Sequence, residues 1–204
     1  MSPSSAVTVN LPPNGGNRVG IPYADGLLLC GGCAGEICDA NSATKVCNLI
    51  LIDSQPIPMP SMLEPRDGAA GTLYMDQPWV TGGKSSLTTE YLDKSGHWNY
   101  GPTLPHELTL HCMVALDDNG TIHMAIGGLS TIVEDRTYIY DWNNPVLGWV
   151  YSGNLVDPRA ATACTKIKFA NGKEKVLVAG GRHRPNLDIV LFTVDIFDIG
   201  TRTW

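Results

Sequence analysis

The chain has six cysteines, and four of them, Cys30, Cys33, Cys38 and Cys47, fall within 18 residues. Thiols this close together form disulfides, hold zinc, or pack as small apolar groups. Cys30-Gly31-Gly32-Cys33 has the spacing of one zinc hook, but Cys38 and Cys47 do not make a second, and structural zinc sites usually use two. Disulfides are the preferred reading, ahead of metal and of free thiols, and such density favours an oxidising compartment. The five histidines, His97, His106, His111, His123 and His183, are scattered, with no His-x-His or His-x-x-His pair. Arg182-His183-Arg184 is a local basic cluster, able to grip an acidic or phosphorylated peptide through forked hydrogen bonds. Asn119-Gly120-Thr121 fits the N-glycosylation sequon. No nucleophile elbow, phosphate-cradling loop or pair of working carboxylates is present; Asp53, Asp93 and Asp141 recur at strand ends and read as turn formers. The expectation is a protein without catalytic residues, cofactor or metal.

Composition narrows the scaffold that positions these groups. The chain has 204 residues, 22 Gly, 14 Pro and only 3 Phe, with 43% hydrophobic residues and 17% charged. That mixture belongs to a folded chain of short strands and tight turns rather than long helices. A net charge of −6 argues against a nucleic-acid footprint. No apolar run approaches the roughly 20 residues of a membrane-spanning helix. The first residues lack the basic region and unbroken apolar stretch of a secretory leader.

An internal repeat supplies the strands. Four apolar runs each close on a glycine pair: Gly31-Gly32, Gly82-Gly83, Gly127-Gly128 and Gly180-Gly181, at intervals of 51, 45 and 53 residues. Turn signals precede each run (Asp25-Gly26, Asp76-Gln77, Asn119-Gly120, Asn171-Gly172), which predicts a hairpin of strands a and b. A third strand follows the glycines, and Trp98 and Trp149 open a fourth in the second and third repeats. Pro-containing links, such as Glu64-Pro65-Arg66 and Asp157-Pro158-Arg159, lead onward. Four short antiparallel strands per repeat of about fifty residues is the arithmetic of a β-propeller. On this topology Cys30 ends strand b beside Cys47 at the start of strand c, so a Cys30–Cys47 bridge with a Cys33–Cys38 bridge would fit, one of the three pairings that four cysteines allow. Cys112 and Cys164 fall on innermost strands and read as buried core.

The glycine pairs, the aromatics before tryptophan and the Pro-Arg links together resemble the kelch repeat. The fold class implied is an all-β, kelch-type propeller with four consecutive four-stranded blades. They span 14–60, 61–104, 105–153 and 154–204, and residues 1–13 form the fourth strand and link of a preceding or closing blade. The last repeat stops at Trp204, where its fourth strand should open. Either the N-terminal strand closes a four-bladed ring, or the chain is part of a longer propeller; the resemblance favours an incomplete ring. Its open faces would be prone to self-association. The resemblance also implies a scaffold that binds a protein or peptide, without membrane insertion, on the face of b–c loops and d–a links. Glu64, Arg66, His106, Arg159, Arg182, His183 and Arg184 would stand there. Clustered cysteines resemble those of extracellular kelch proteins of animals, against a cytoplasmic alternative. A copper radical oxidase of the galactose-oxidase type is the competing function, since that fold class contains one.

Overall fold

The computed structural model describes residues 16–33, 38, 42–52, 54–84, 86–183 and 189–204. The expected strand in residues 1–13, the insert at 34–37, Asp53 and Arg184 lie outside the described residues. The rest is a four-bladed propeller arrangement of antiparallel sheets, and its only helical element among the described residues is one 3-10 turn.

Blade 1 is β1 (Val19–Tyr23), β2 (Gly26–Cys30), β3 (Cys47–Ile50) and β4 (Ile57–Met59). Blade 2 is β5 (Ala70–Tyr74), β6 (Gln77–Thr81), β7 (Thr89–Leu92) and β8 (Trp98–Tyr100). Blade 3 is β9 (Cys112–Ala115), β10 (Ile122–Ile126), β11 (Arg136–Asp141) and β12 (Val150–Asn154). Blade 4 pairs β13 (Ala163–Lys168), β14 (Glu174–Ala179) and β17 (Val194–Asp198), and a short pair, β15 (Arg182–His183) with β16 (Ile189–Val190), interrupts it. It therefore has three strands in its sheet, not the four of the other blades. The 3-10 turn, Pro145–Leu147, lies between β11 and β12.

First strands touch in succession, β1 with β5, β5 with β9 and β9 with β13, so strand a is the innermost of each blade. Three apolar cores fill the three junctions. Ile21, Leu28, Met62, Val80 and Trp98 lie between blades 1 and 2. Ala70, Trp79, Met113 and Tyr140 lie between blades 2 and 3. Val114, Met124, Ile139, Val178 and Phe197 lie between blades 3 and 4. Each repeat tryptophan sits in a junction. Trp98 donates its indole N–H to Pro60 C=O at 2.9 Å, Trp204 donates to Thr137 Oγ1 at 3.1 Å, and Trp149 stacks on Trp79 at 5.8 Å.

The glycine pairs tie one blade to the next. A Cβ on Gly82 would stand 2.4 Å from the carbonyl oxygen of Leu108, in the link to blade 3. Gly83 N–H donates to that same oxygen at 2.9 Å. Gly32 does the same to Arg66 and Gly128 to Arg159. A second belt of backbone bonds runs around the axis: Gly68 N–H to Asn17 C=O, Leu110 N–H to Gly68 C=O, and Ala161 N–H to Leu110 C=O. Every belt residue has a left-handed φ, between 50° and 67°, although Asn17, Leu110 and Ala161 are not glycine. The belt geometry outweighs their local preference.

Two local expectations are corrected. The turns of blades 1 and 2 are Ala24-Asp25 and Met75-Asp76, all with positive φ, one residue earlier than Asp25-Gly26 and Asp76-Gln77 imply. Gly26 belongs to β2, where a Cβ would meet Ile50 C=O at 2.3 Å. Cys112 and Cys164 are not free core thiols: they form a disulfide between the first strands of blades 3 and 4. Cys30–Cys47, directly opposed across β2 and β3, and Cys33–Cys38 are also bonded.

Candidate functional site

The b–c loops and d–a links meet at one end of the axis, and the residues expected there have different environments. Arg66 and Arg159 are buried, at 1% and 0% exposure, so neither presents its guanidinium to a partner. The physical reason is a repeated internal tie. Arg66 Nη1 donates to Gly82 C=O at 2.6 Å and Thr88 C=O at 2.9 Å, Nη2 donates to Thr88 Oγ1 at 2.7 Å, and Nε and Nη2 both reach Glu90 Oε1. Arg159 repeats it with Gly180 C=O, Thr193 C=O and Thr193 Oγ1, and lies 3.0 Å from Asp195 Oδ2 as an ion pair not aligned as a hydrogen bond. Blade 3 dispenses with the pair altogether. Leu108 occupies the position of Arg66, and Tyr138 that of Glu90. Replacing both partners together avoids leaving a buried charge unpaired.

Glu64 faces solvent more, and accepts hydrogen bonds from Thr88, Ser86 and Tyr100 hydroxyls. Burial works to raise its pKa, but those hydroxyls and the Arg66 charge outweigh it and hold the carboxyl below its ordinary value. His106 lies 3.5 Å from the buried Glu134 without hydrogen-bond alignment. Burial lowers its pKa despite that carboxylate. Glu134 in turn accepts two bonds from Arg136 and one from Ser130. Arg182 is exposed on β15, and half-buried His183 uses Nδ1–H to donate to Pro158 C=O at 2.9 Å. The structure thus brings Glu64, Arg66 and Glu90 into one network and His106 beside Glu134. Asn119 stands exposed at the β9–β10 turn, on the opposite end of the blade, and the Thr121 hydroxyl of its sequon donates to Asp117.

A feature the sequence reading missed lies between these groups. A cavity of about 330 Å³ is lined by Asp67, Lys84, Glu107, Thr109, Leu129 and Ser130, among others. These are the residues beside the glycine pairs and links of blades 2 and 3. Asp67 is 5% exposed, and its Oδ1 has no hydrogen-bond partner. Its carboxylate also lies within 4.8 Å of the Cys33 and Cys38 sulfurs. Those sulfurs are committed to their disulfide, which leaves no thiolate pair to join Asp67 as metal ligands. A buried carboxylate oxygen without a donor attracts a cation or N–H group. The signal in sequence was slight: Asp67 merely follows Pro65-Arg66.

No protein-family model matches this chain, and no curated protein is significantly similar to it.

Proposed function

We propose that the chain is a non-catalytic, kelch-type interaction scaffold that binds a protein or peptide on the b–c loop and d–a link face. The observation that carries this reading is the cavity lined by Asp67, whose buried Oδ1 has no hydrogen-bond partner, together with exposed Lys84 and Glu107. A basic side chain of a partner would satisfy Asp67 Oδ1. In favour of a binding role over copper chemistry, the histidines have separate partners. His97 faces Ser95, His106 faces Glu134, His111 faces Thr81, and His123 and His183 face backbone carbonyls.

The test is titration of fluorescent peptides bearing Lys or Arg, with phosphorylated peptides alongside, into the chain and its variants. Asp67→Asn should weaken binding of basic peptides at least tenfold. Asp118→Asn, on the far turns, should leave it unchanged. Binding lost in Asp118→Asn but kept in Asp67→Asn would overturn the assignment of the face. Copper loading with a visible thiolate or tyrosyl absorption band would overturn the non-catalytic reading.

A further inference from the structure

Three side chains with zinc-binding chemistry meet beside the glycine pair of blade 1. One ligand atom from each of Cys33, Cys38 and Asp67 lies within 4.8 Å of the other two. Tetrahedral zinc, with Zn–S of about 2.3 Å and Zn–O of about 2.1 Å, sets such atoms roughly 3.6 to 3.8 Å apart. Four residues separate Cys33 from Cys38, which is within the usual spacing of a zinc hook. This hook is not the Cys30–Cys33 one that the sequence suggests. Asp67 adds an independent sign of a missing cation. It is 5% exposed, and its Oδ1 has no hydrogen-bond partner, a state that costs free energy until a cation or donor arrives.

The backbone holds the three residues without help from the sulfurs. Cys33 N–H donates to Gly16 C=O at 3.0 Å, and Cys33 bridges both Gly16 and Ala43. Asp67 C=O accepts from Lys84 N–H at 2.7 Å and from the Thr109 hydroxyl at 3.2 Å. Lys84 Nζ donates to Cys38 C=O at 3.3 Å. Opening the S–S bond removes none of these. A Cβ on Gly16 would stand 2.6 Å from Cys38 Sγ and 2.7 Å from Cys33 Sγ, so only glycine there leaves the sulfurs room.

The Cys33–Cys38 bond is also the one a reductant should open first. Cys38 is half-buried, whereas Cys30 and Cys47 are 0% and 1% exposed, and exchange needs access to a sulfur. Its cysteines are 5 residues apart, against 17 and 52 in the other two bonds. The shortest loop adds least to the freedom of the unfolded chain when it opens, so its loss costs the fold least.

We propose that Cys33, Cys38 and Asp67 form a redox-gated zinc site. A dithiol opens the gate: the S–S bond breaks, two electrons and two protons pass to Cys33 and Cys38, and the dithiol closes to its own disulfide. Zinc then displaces both thiol protons to solvent and takes the two thiolates and the Asp67 carboxylate. Water fills the fourth position, admitted through the cavity that Asp67 lines. Two thiolates and a carboxylate carry one more negative charge than the ion balances. The Lys84 ammonium, bonded to Cys38 C=O, lies close to that charge. In the disulfide form the sulfurs hold no zinc. The site does not rest on the proposed function.

The test uses the full chain, treated briefly with a dithiol that is then removed under nitrogen, and titrated with zinc against a chromophoric zinc indicator. Alkylation and peptide mapping should find Cys33 and Cys38 reduced while Cys30–Cys47 and Cys112–Cys164 stay linked. The reduced chain should bind one zinc ion, and the untreated chain none at the same concentration. Asp67→Asn keeps both thiols and nearly the same shape, and after reduction should bind zinc at least tenfold more weakly. Cys33→Ser combined with Cys38→Ser should not bind it, with circular dichroism reporting that both variants are folded. Cobalt in place of zinc should give a near-ultraviolet thiolate charge-transfer band in the reduced wild type. No zinc uptake by the reduced chain, uptake by the untreated chain or the double-serine variant, or wild-type affinity in Asp67→Asn would each overturn the proposal. So would a different disulfide opening first.

Discussion

Replacing Arg66 with leucine should destabilise the protein more than any other change in a link. The guanidinium holds two carbonyls (Gly82 and Thr88), the Thr88 hydroxyl and the Glu90 carboxylate, all within 2.6 to 3.0 Å. Glu90 is 0% exposed and keeps only the backbone N–H groups of Leu63 and Glu64 once Arg66 is gone. Breaking one side of a buried pair costs about 3 to 5 kcal/mol, chiefly through the charge left behind. Arg66→Leu combined with Glu90→Tyr copies the arrangement of Leu108 and Tyr138 in blade 3, and should recover at least half of that loss. The assay is urea unfolding followed by tryptophan fluorescence, comparing midpoints at constant slope. A loss below about 1 kcal/mol for the single variant would refute the reasoning. So would a double variant as unstable as the sum of the two singles.

Acid should destabilise the fold through its buried histidines. Burial depresses His111 to about 3 from an ordinary 6.5, and lowers His123 as well. A depressed folded value means stability that is complete above about 6.5 and is lost as pH falls toward 3, because the unfolded chain takes up the proton first. His111 alone should account for roughly 3 kcal/mol between pH 7 and pH 4, and His111→Gln should flatten the stability profile there. Removing the Cys112–Cys164 bond, which closes a 52-residue separation, with the Cys112→Ala, Cys164→Ala double variant should cost about 4 kcal/mol by chain entropy. Its urea midpoint measures the loss. Gly82→Ala should cost about 3 kcal/mol, combining a strained left-handed alanine with a displaced Leu108 carbonyl, and thermal unfolding reads it directly.

Blade number and strand order were legible in the sequence because each repeats the same local pattern, and periodicity reports local structure well. What was illegible depended on contacts between repeats. Arg66 and Arg159 look like solvated link charges. Their carboxylate partners, Glu90 and Asp195, lie a whole strand pair further on, and only the matching exchange to Leu108 and Tyr138 betrays the coupling. Cys112 and Cys164 look like core residues until the first strands of blades 3 and 4 are known to be neighbours. The turns of blades 1 and 2 slipped by one residue, since Gly26 is needed for a close approach to Ile50 and not for its φ. Asp67 carried no pattern at all; its significance lies in the donor its Oδ1 lacks. On the loop face, His106 and Glu64 are half-buried, and the network that holds them could be read only from the fold.

The central claim, that consecutive blades stack with their first strands side by side around one axis, is tested most directly by mapping the disulfides of the unreduced protein with peptide mass spectrometry. The account predicts three linked pairs, Cys30–Cys47 within blade 1, Cys33–Cys38 beside it, and Cys112–Cys164 across blades 3 and 4. A link from Cys112 or Cys164 to any of the four N-terminal cysteines, or both recovered as free thiols in the folded protein, would contradict it.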